Sequence, residues 1–275
     1  MLRPKLLGAV VLIFIAAGTR TARAQATVGA DLGVFSGYVW RGVSLTNRPV
    51  GQPNVYVAFP AGNASVTVGG WANVDLGRYN GSDDFSQSGG ASGFNLSEFD
   101  PWAEVSLPLG KATVTGGVVG YVFPNEFGVT DDFNTWEVYG KVGLGVPLSP
   151  KLALYYDFDK VNGAYLEASV AHAIPLGASL SLNLGALGGL SAGQAEATDA
   201  GEINNFFENG FTHLDLSAGV PLSAGIFSIT PVVHFLINGD EVTKLTSPED
   251  ESDVKLWGGL TISWSRVLGA RATSE

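Results

Sequence analysis

The sequence predicts an all-β protein: a transmembrane, antiparallel, up-and-down β-barrel of twelve strands. Three observations carry that prediction. First, hydrophobicity alternates with period two, most clearly from Trp136 to Asp159. Trp136, Val138, Gly140, Val142 and Leu144 fall on one parity, and Thr135, Glu137, Tyr139, Lys141 and Gly143 on the other. After Pro147-Leu148-Ser149-Pro150 the alternation resumes, with Leu152, Leu154, Tyr156 and Phe158 opposite Lys151, Ala153, Tyr155, Asp157 and Asp159. Successive side chains of a strand point to opposite faces, so this is a hairpin with one oily face and one polar, charged face. Second, similar turns recur: Pro60-Ala61-Gly62, Pro108-Leu109-Gly110, Pro147-Leu148-Ser149, Pro175-Leu176-Gly177 and Pro221-Leu222-Ser223 each separate two alternating segments. A spacing of about 40 residues holds two strands and one longer loop, the layout of outer-membrane barrels. Third, no stretch beyond the N-terminus has about 18 consecutive apolar residues, so no spanning helix is expected.

Taken in order, the first strand is expected over Ala26 to Arg41, with Val28, Ala30, Leu32, Val34, Tyr38 and Trp40 outward and Asp31, Phe35 and Arg41 inward. Tyr38 and Trp40 would sit in an interfacial aromatic girdle. The second carries Val55, Val57 and Phe59 outward, and the third Val66, Val68, Ala72, Val74 and Leu76. Gly77 to Leu96 is polar and without period, hence a loop. The fourth sets Ala103, Val105 and Leu107 against Glu98, Asp100, Trp102 and Glu104; Ala112, Val114, Val118 and Val122 mark the fifth. The sixth and seventh are the hairpin described above. The eighth has Leu166 and Val170 opposite Tyr165 and Glu167, and the ninth Leu182 and Leu184 opposite Ser181 and Asn183. Gly189 to Gly210 is expected as a second long loop. Leu214 and Leu216, then Phe227 to Phe235, then Val254 to Trp264 complete the twelve. Beyond Trp264 the chain either hangs free or continues the strand through Arg266 and Leu268. An even count puts both ends at the short-turn rim, which faces the periplasm in this class.

The first 24 residues have the pattern of an export signal. Arg3 and Lys5 precede an apolar run from Leu6 to Gly18, and Ala22-Arg23-Ala24 is a small-residue cleavage site before Gln25. The remainder, 25–275, has 11 basic against 26 acidic residues, a net of −15. Such a chain is a poor nucleic-acid binder, since neutralising phosphates needs Lys and Arg. Cysteine is absent, which excludes disulfides and cysteine metal sites. With 37 glycines and only 15% charged residues, the composition fits a lipid-facing exterior around a wet lumen.

Ser36-Gly37-Tyr38-Val39-Trp40-Arg41-Gly42-Val43-Ser44, followed by a Pro/Gly loop, resembles the opening-strand signature of the TorF-type porins, proteobacterial outer-membrane proteins. Ser36, Tyr38, Arg41 and Gly42 match that signature, while Gly37 replaces its usual Asp. The resemblance implies a porin-like barrel and little chemistry.

The expected lumen lining is acidic: Asp31, Glu98, Asp100, Glu104, Glu137, Asp157 and Glu167, with Lys141, Tyr139 and Tyr155 on the same parity. Rings of carboxylates favour cations. The alternative is that these groups pair with the lysines and plug a narrow barrel. Tyr139, Tyr155 and Tyr165 either offer a stacking surface to a solute or fill volume. Arg41 suits a bidentate carboxylate contact that holds a loop. Asp240, Glu241, Glu249, Asp250, Glu251 and Asp253 crowd the last long loop without EF-hand spacing. The histidines, His172, His213 and His234, have no serine nucleophile beside them in sequence, so no catalytic site is expected. No cofactor or metal is expected either. The sequence thus predicts a passive channel for small hydrophilic solutes or ions in the bacterial outer membrane, with lipids and lipopolysaccharide around it and homo-oligomers compatible with the class. The rivals are a non-conducting surface barrel of structural or adhesive role and a soluble β-sandwich.

Overall fold

The computed structural model describes residues 25–78, 93–124, 133–195, 202–239 and 254–268. The expected export signal and the acidic loop Asp240 to Asp253 lie outside the described residues. Alternation does what it predicts. The strands are β1 (Thr27–Phe35), β2 (Tyr38–Trp40), β3 (Val43–Thr46), β4 (Val50–Ala61), β5 (Ala64–Asp75), β6 (Asn95–Leu109), β7 (Ala112–Tyr121), β8 (Thr135–Leu144), β9 (Lys151–Asp157), β10 (Ala164–Pro175), β11 (Ser181–Ala192), β12 (Gly210–Gly219), β13 (Leu222–Ala224), β14 (Phe227–Asn238) and β15 (Val254–Val267).

All neighbouring strands of the large sheet are antiparallel, and β1 closes it against β15, from Thr27 opposite Val267 to Phe35 opposite Gly259. Against β14, β13 keeps the register of β12: Gly219 faces Val232 and Leu222 faces Ile229. The two pieces are therefore one stave, and the barrel has twelve. β2 and β3 form a separate two-stranded sheet. Outward positions such as Val55, Val138, Leu152, Leu154 and Phe235 are exposed around the wall. A barrel with this belt avoids free sheet edges and satisfies its backbone internally, the condition for sitting in lipid.

Three details differ from the sequence expectation. The first strand stops at Phe35, so Tyr38 and Trp40 are not girdle residues but belong to an inserted hairpin. The Pro147-Leu148 turn lies where expected, but three others lie past their prolines: Pro60, Pro108 and Pro175 still belong to β4, β6 and β10. Left-handed backbone is needed at the turn itself, and Gly62, Gly110 and Gly225 supply it with φ of 65°, 63° and 63°. The ladder of β11 runs on to Ala192, three residues past the expected loop start, through a register shift at Gly189/Leu190. Of the two courses left open beyond Trp264, the structure takes the second: β15 continues through Arg266 to Val267, and the Leu268 amide donates to the Ala26 carbonyl at 2.7 Å.

Candidate functional site

Between β1 and β4 the chain does not loop out; β2 and β3 fold as a hairpin into the barrel. Trp40 pairs with Val43 across a two-residue turn, Arg41-Gly42, in which both φ angles are positive, 50° and 90°. Such turns match the right-handed twist of short hairpins. Glycine is needed at the second position for a further reason: a Cβ there would lie 2.8 Å from the Cβ of His213 on β12. The hairpin therefore crosses the lumen. On other walls, the Tyr38 hydroxyl donates to Glu98 of β6 at 2.8 Å, its ring meets Trp71 of β5 at 5.6 Å, and Lys255 of β15 donates to Ser44 and Asn47. Trp40 stacks on Phe206 at 6.1 Å, and Phe206 stacks on Tyr165 at 6.3 Å. Val43, Tyr165 and Phe206 are fully buried, so the molecule's apolar core is inside the barrel.

Arg41 is the tip of this hairpin. Its Nη1 and Nη2 each donate to one oxygen of Glu137 at 2.7 Å, and Tyr121 Oη donates to the same carboxylate at 2.9 Å. The guanidinium carbon lies 4.5 Å from the Trp40 ring, 4.8 Å from Tyr155 and 4.3 Å from Tyr165. Burial pulls the Arg41 pKa down, but the Glu137 carboxylate outweighs it and the net shift is upward. Fork-to-fork pairing is the strong form of this contact, and ring faces attract the delocalised charge.

The other residues singled out from the sequence divide in two. Glu98 and Asp100 are buried near the hairpin; Asp100 Oδ1 has no hydrogen-bond partner among the described residues. Asp157 faces Glu137 across β8 and β9 but caps a loop: it accepts from the Thr135 hydroxyl at 2.6 Å and from the Asp159 and Val161 amides at 3.0 Å each. Towards the turn rim, Glu104 accepts from Tyr139 at 3.0 Å and pairs with Lys141 at 3.4 Å, both charged side chains being 23% exposed. Tyr139 and Tyr155 are 5.5 Å apart, and Tyr155 and Tyr165 are 6.2 Å apart. Asp31 accepts from Asn54 at 3.1 Å, and Glu167 lies opposite Ala153 on the wall of β10. Ser36 extends the β1–β15 ladder, its amide bonding the Gly258 carbonyl at 2.9 Å. Thus Arg41, Glu137 and Tyr155 come together, Lys141 Nζ lies 6.0 Å from the same Tyr155 ring, and Asp31 and Glu104 do not join them. Sequence reasoning missed Tyr121 and Phe206, and weighed His213 only as a catalytic group. The available signal was weak: a two-residue break ending in Gly42 between two short apolar runs, Tyr38-Val39-Trp40 and Val43-Ser44-Leu45.

A family model described as "Bacterial protein of unknown function (Gcw_chp)" matches residues 19–220. The chain belongs to this family. The Gcw_chp match takes in the hairpin and both partners of the Arg41–Glu137 pair. No curated protein matches the chain in sequence. Among solved structures it is similar to an outer membrane channel from Pseudomonas putida F1, at 9% identity and a TM-score of 0.48 over 91% of this chain and 98% of that one. It is also similar to the translocator domain of the autotransporter NalP from Neisseria meningitidis, at 9% identity and a TM-score of 0.38 over 94% and 95% of the two chains. Neither figure bears on what this Gcw_chp chain does.

A second polar group lies on β12, β14 and β15. His234 Nδ1 is 2.9 Å from Asp215, and its ring stacks on Trp257 at 4.0 Å. Ser217 stands directly opposite His234, yet its Oγ leans toward Gly185 on the other side. Among the described residues no hydroxyl bonds His234, so the Asp–His pair has no aligned nucleophile.

Proposed function

We propose that the protein is an outer-membrane channel for passive diffusion of small hydrophilic solutes, with a lumen favouring cations and neutral solutes, narrowed at its loop half by the β2–β3 hairpin. The carrying observation is the gradient along the inward face of β8. Thr135, Glu137 and Tyr139 are buried, whereas Lys141 and Gly143 further along are half-buried. Wall side chains alone fill a barrel of about eight strands, but twelve leave space that must hold either water or an inserted segment. Here the segment occupies one half, and the other half is lined by Glu104, Lys141, Ser106 and Thr115, groups suited to water. Surplus carboxylates give the passage its charge preference. Lipid covers the outward belt, and the loops face lipopolysaccharide.

The test is current across a planar bilayer holding the refolded barrel, under a potassium chloride gradient. The reading expects a steady conductance and a reversal potential on the cation-selective side. One observation favours a second reading, a non-conducting surface barrel: the hairpin touches walls on several sides of the lumen. A folded, intact barrel that passes no current would establish that reading instead.

A further inference from the structure

We propose that Glu137, Tyr121, Tyr155 and Tyr165 form a binding site for guanidinium-bearing solutes, such as arginine, and that the chain's own Arg41 occupies it as an internal stand-in. Four observations argue this. The site is built by the wall, not by the hairpin: its carboxylate comes from β8, and its hydroxyl and ring faces come from β7, β9 and β10. Only the Trp40 ring arrives with the hairpin. The geometry is specific to a planar fork, since both carboxylate oxygens are engaged at 2.7 Å while two wall rings lie within 4.8 Å of the guanidinium carbon. An ammonium would satisfy the charge but not the paired bonds.

The occupant is also held at a conformational cost. Arg41 has a φ of 50°, a left-handed backbone that favours Gly, Asn or Asp at such a turn. Arginine at that position is explained by what its side chain reaches. Lastly, a route to the site is marked by another cation. Lys141 Nζ lies 4.1 Å from the Tyr139 ring, and Tyr139, Tyr155 and Tyr165 follow one another along the wall to Arg41. A cation entering from the turn rim would meet successive ring faces and then the Glu137 carboxylate. Arg41 and a solute would compete for the same seat, so binding would loosen the hairpin.

The transport meaning of this inference rests on the channel reading, so binding is measured apart from current. The probe is methylguanidinium or L-arginine at millimolar concentration, added to the refolded Arg41→Ala barrel, with potassium and methylammonium at equal ionic strength as controls. The readout is the temperature at which the folded gel mobility is lost. The expected result is a rise with the two guanidinium compounds, at least tenfold weaker dependence on methylammonium, and no rise once Glu137→Gln is added. An equal response to methylammonium or potassium means charge screening and overturns the site, as does a response that survives Glu137→Gln. If Arg41→Ala does not refold, its refolding yield becomes the readout: recovery with methylguanidinium supports the site, and none overturns it. Current through the wild-type barrel is recorded separately. Binding without current would retain the site and remove its transport role; current without binding would retain the channel and remove the site.

Discussion

The two halves of the lumen are built from the same wall and differ in almost everything else. At the loop half, Glu137 and Asp157 stand directly opposite each other on adjacent strands, both fully buried, and neither is left to water. One takes a guanidinium from the hairpin; the other takes a hydroxyl and two loop amides. At the turn half, Glu104 and Lys141 are a looser pair at 3.4 Å, partly exposed on both sides. Buried charge must be matched or it is expensive, whereas a wet pair contributes little. The difference teaches that lumen-facing charge has two uses here. It holds the inserted hairpin at one end and, on the channel reading proposed above, would line the passage at the other.

Substitutions that separate these uses sharpen the comparison. The largest effect is expected from Glu137→Gln, which leaves Arg41 buried with no carboxylate and costs about 3–5 kcal/mol of stability in urea unfolding from lipid vesicles. Replacing both partners by leucine should cost less than that single change, because no charge is stranded. Gly42→Val combines an unfavourable positive φ with the contact to His213; a loss of about 2 kcal/mol or more is expected, measured in the same way. Asp157→Asn weakens three hydrogen bonds in the cap and should cost about 1–3 kcal/mol, with faster amide exchange at Asp159 and Val161. The smallest stability effect belongs to Lys141→Gln, about 0–1 kcal/mol, yet that change should move the reversal potential further toward cations. If Lys141→Gln instead destabilises as strongly as Glu137→Gln, the halves are not different in kind.

How far the sequence could be read follows from the same contrast. The twelve staves were legible because lipid outside and polar groups inside impose a parity that each strand repeats. The hairpin was not, because parity runs unbroken from Val34 through Ser36 to Tyr38 and Trp40 while the chain changes direction. Periodicity records which face a residue takes relative to its neighbours, not where the strand points. Glu137 and Asp157 show the limit most clearly. They share a parity and a register pair, and only the reach of the hairpin and of the β9–β10 loop gives them different roles. Glu98 and Glu104 lie on one strand and diverge in the same way, one against Tyr38 of the plug and the other beside Lys141. Arg41 was legible as a loop-holding residue in its chemistry, though not in its depth.

On the proposed channel reading, the hairpin is what narrows an otherwise open barrel. The most direct measurement is single-channel conductance of the intact protein against a variant in which residues 38–46 are replaced by a short Gly-Ser linker, both verified as folded by heat-dependent gel mobility. The account predicts a small conductance for the intact barrel and a several-fold larger one after excision, with cation preference reduced but not lost. Equal conductance in the two proteins, or none in either, would contradict it.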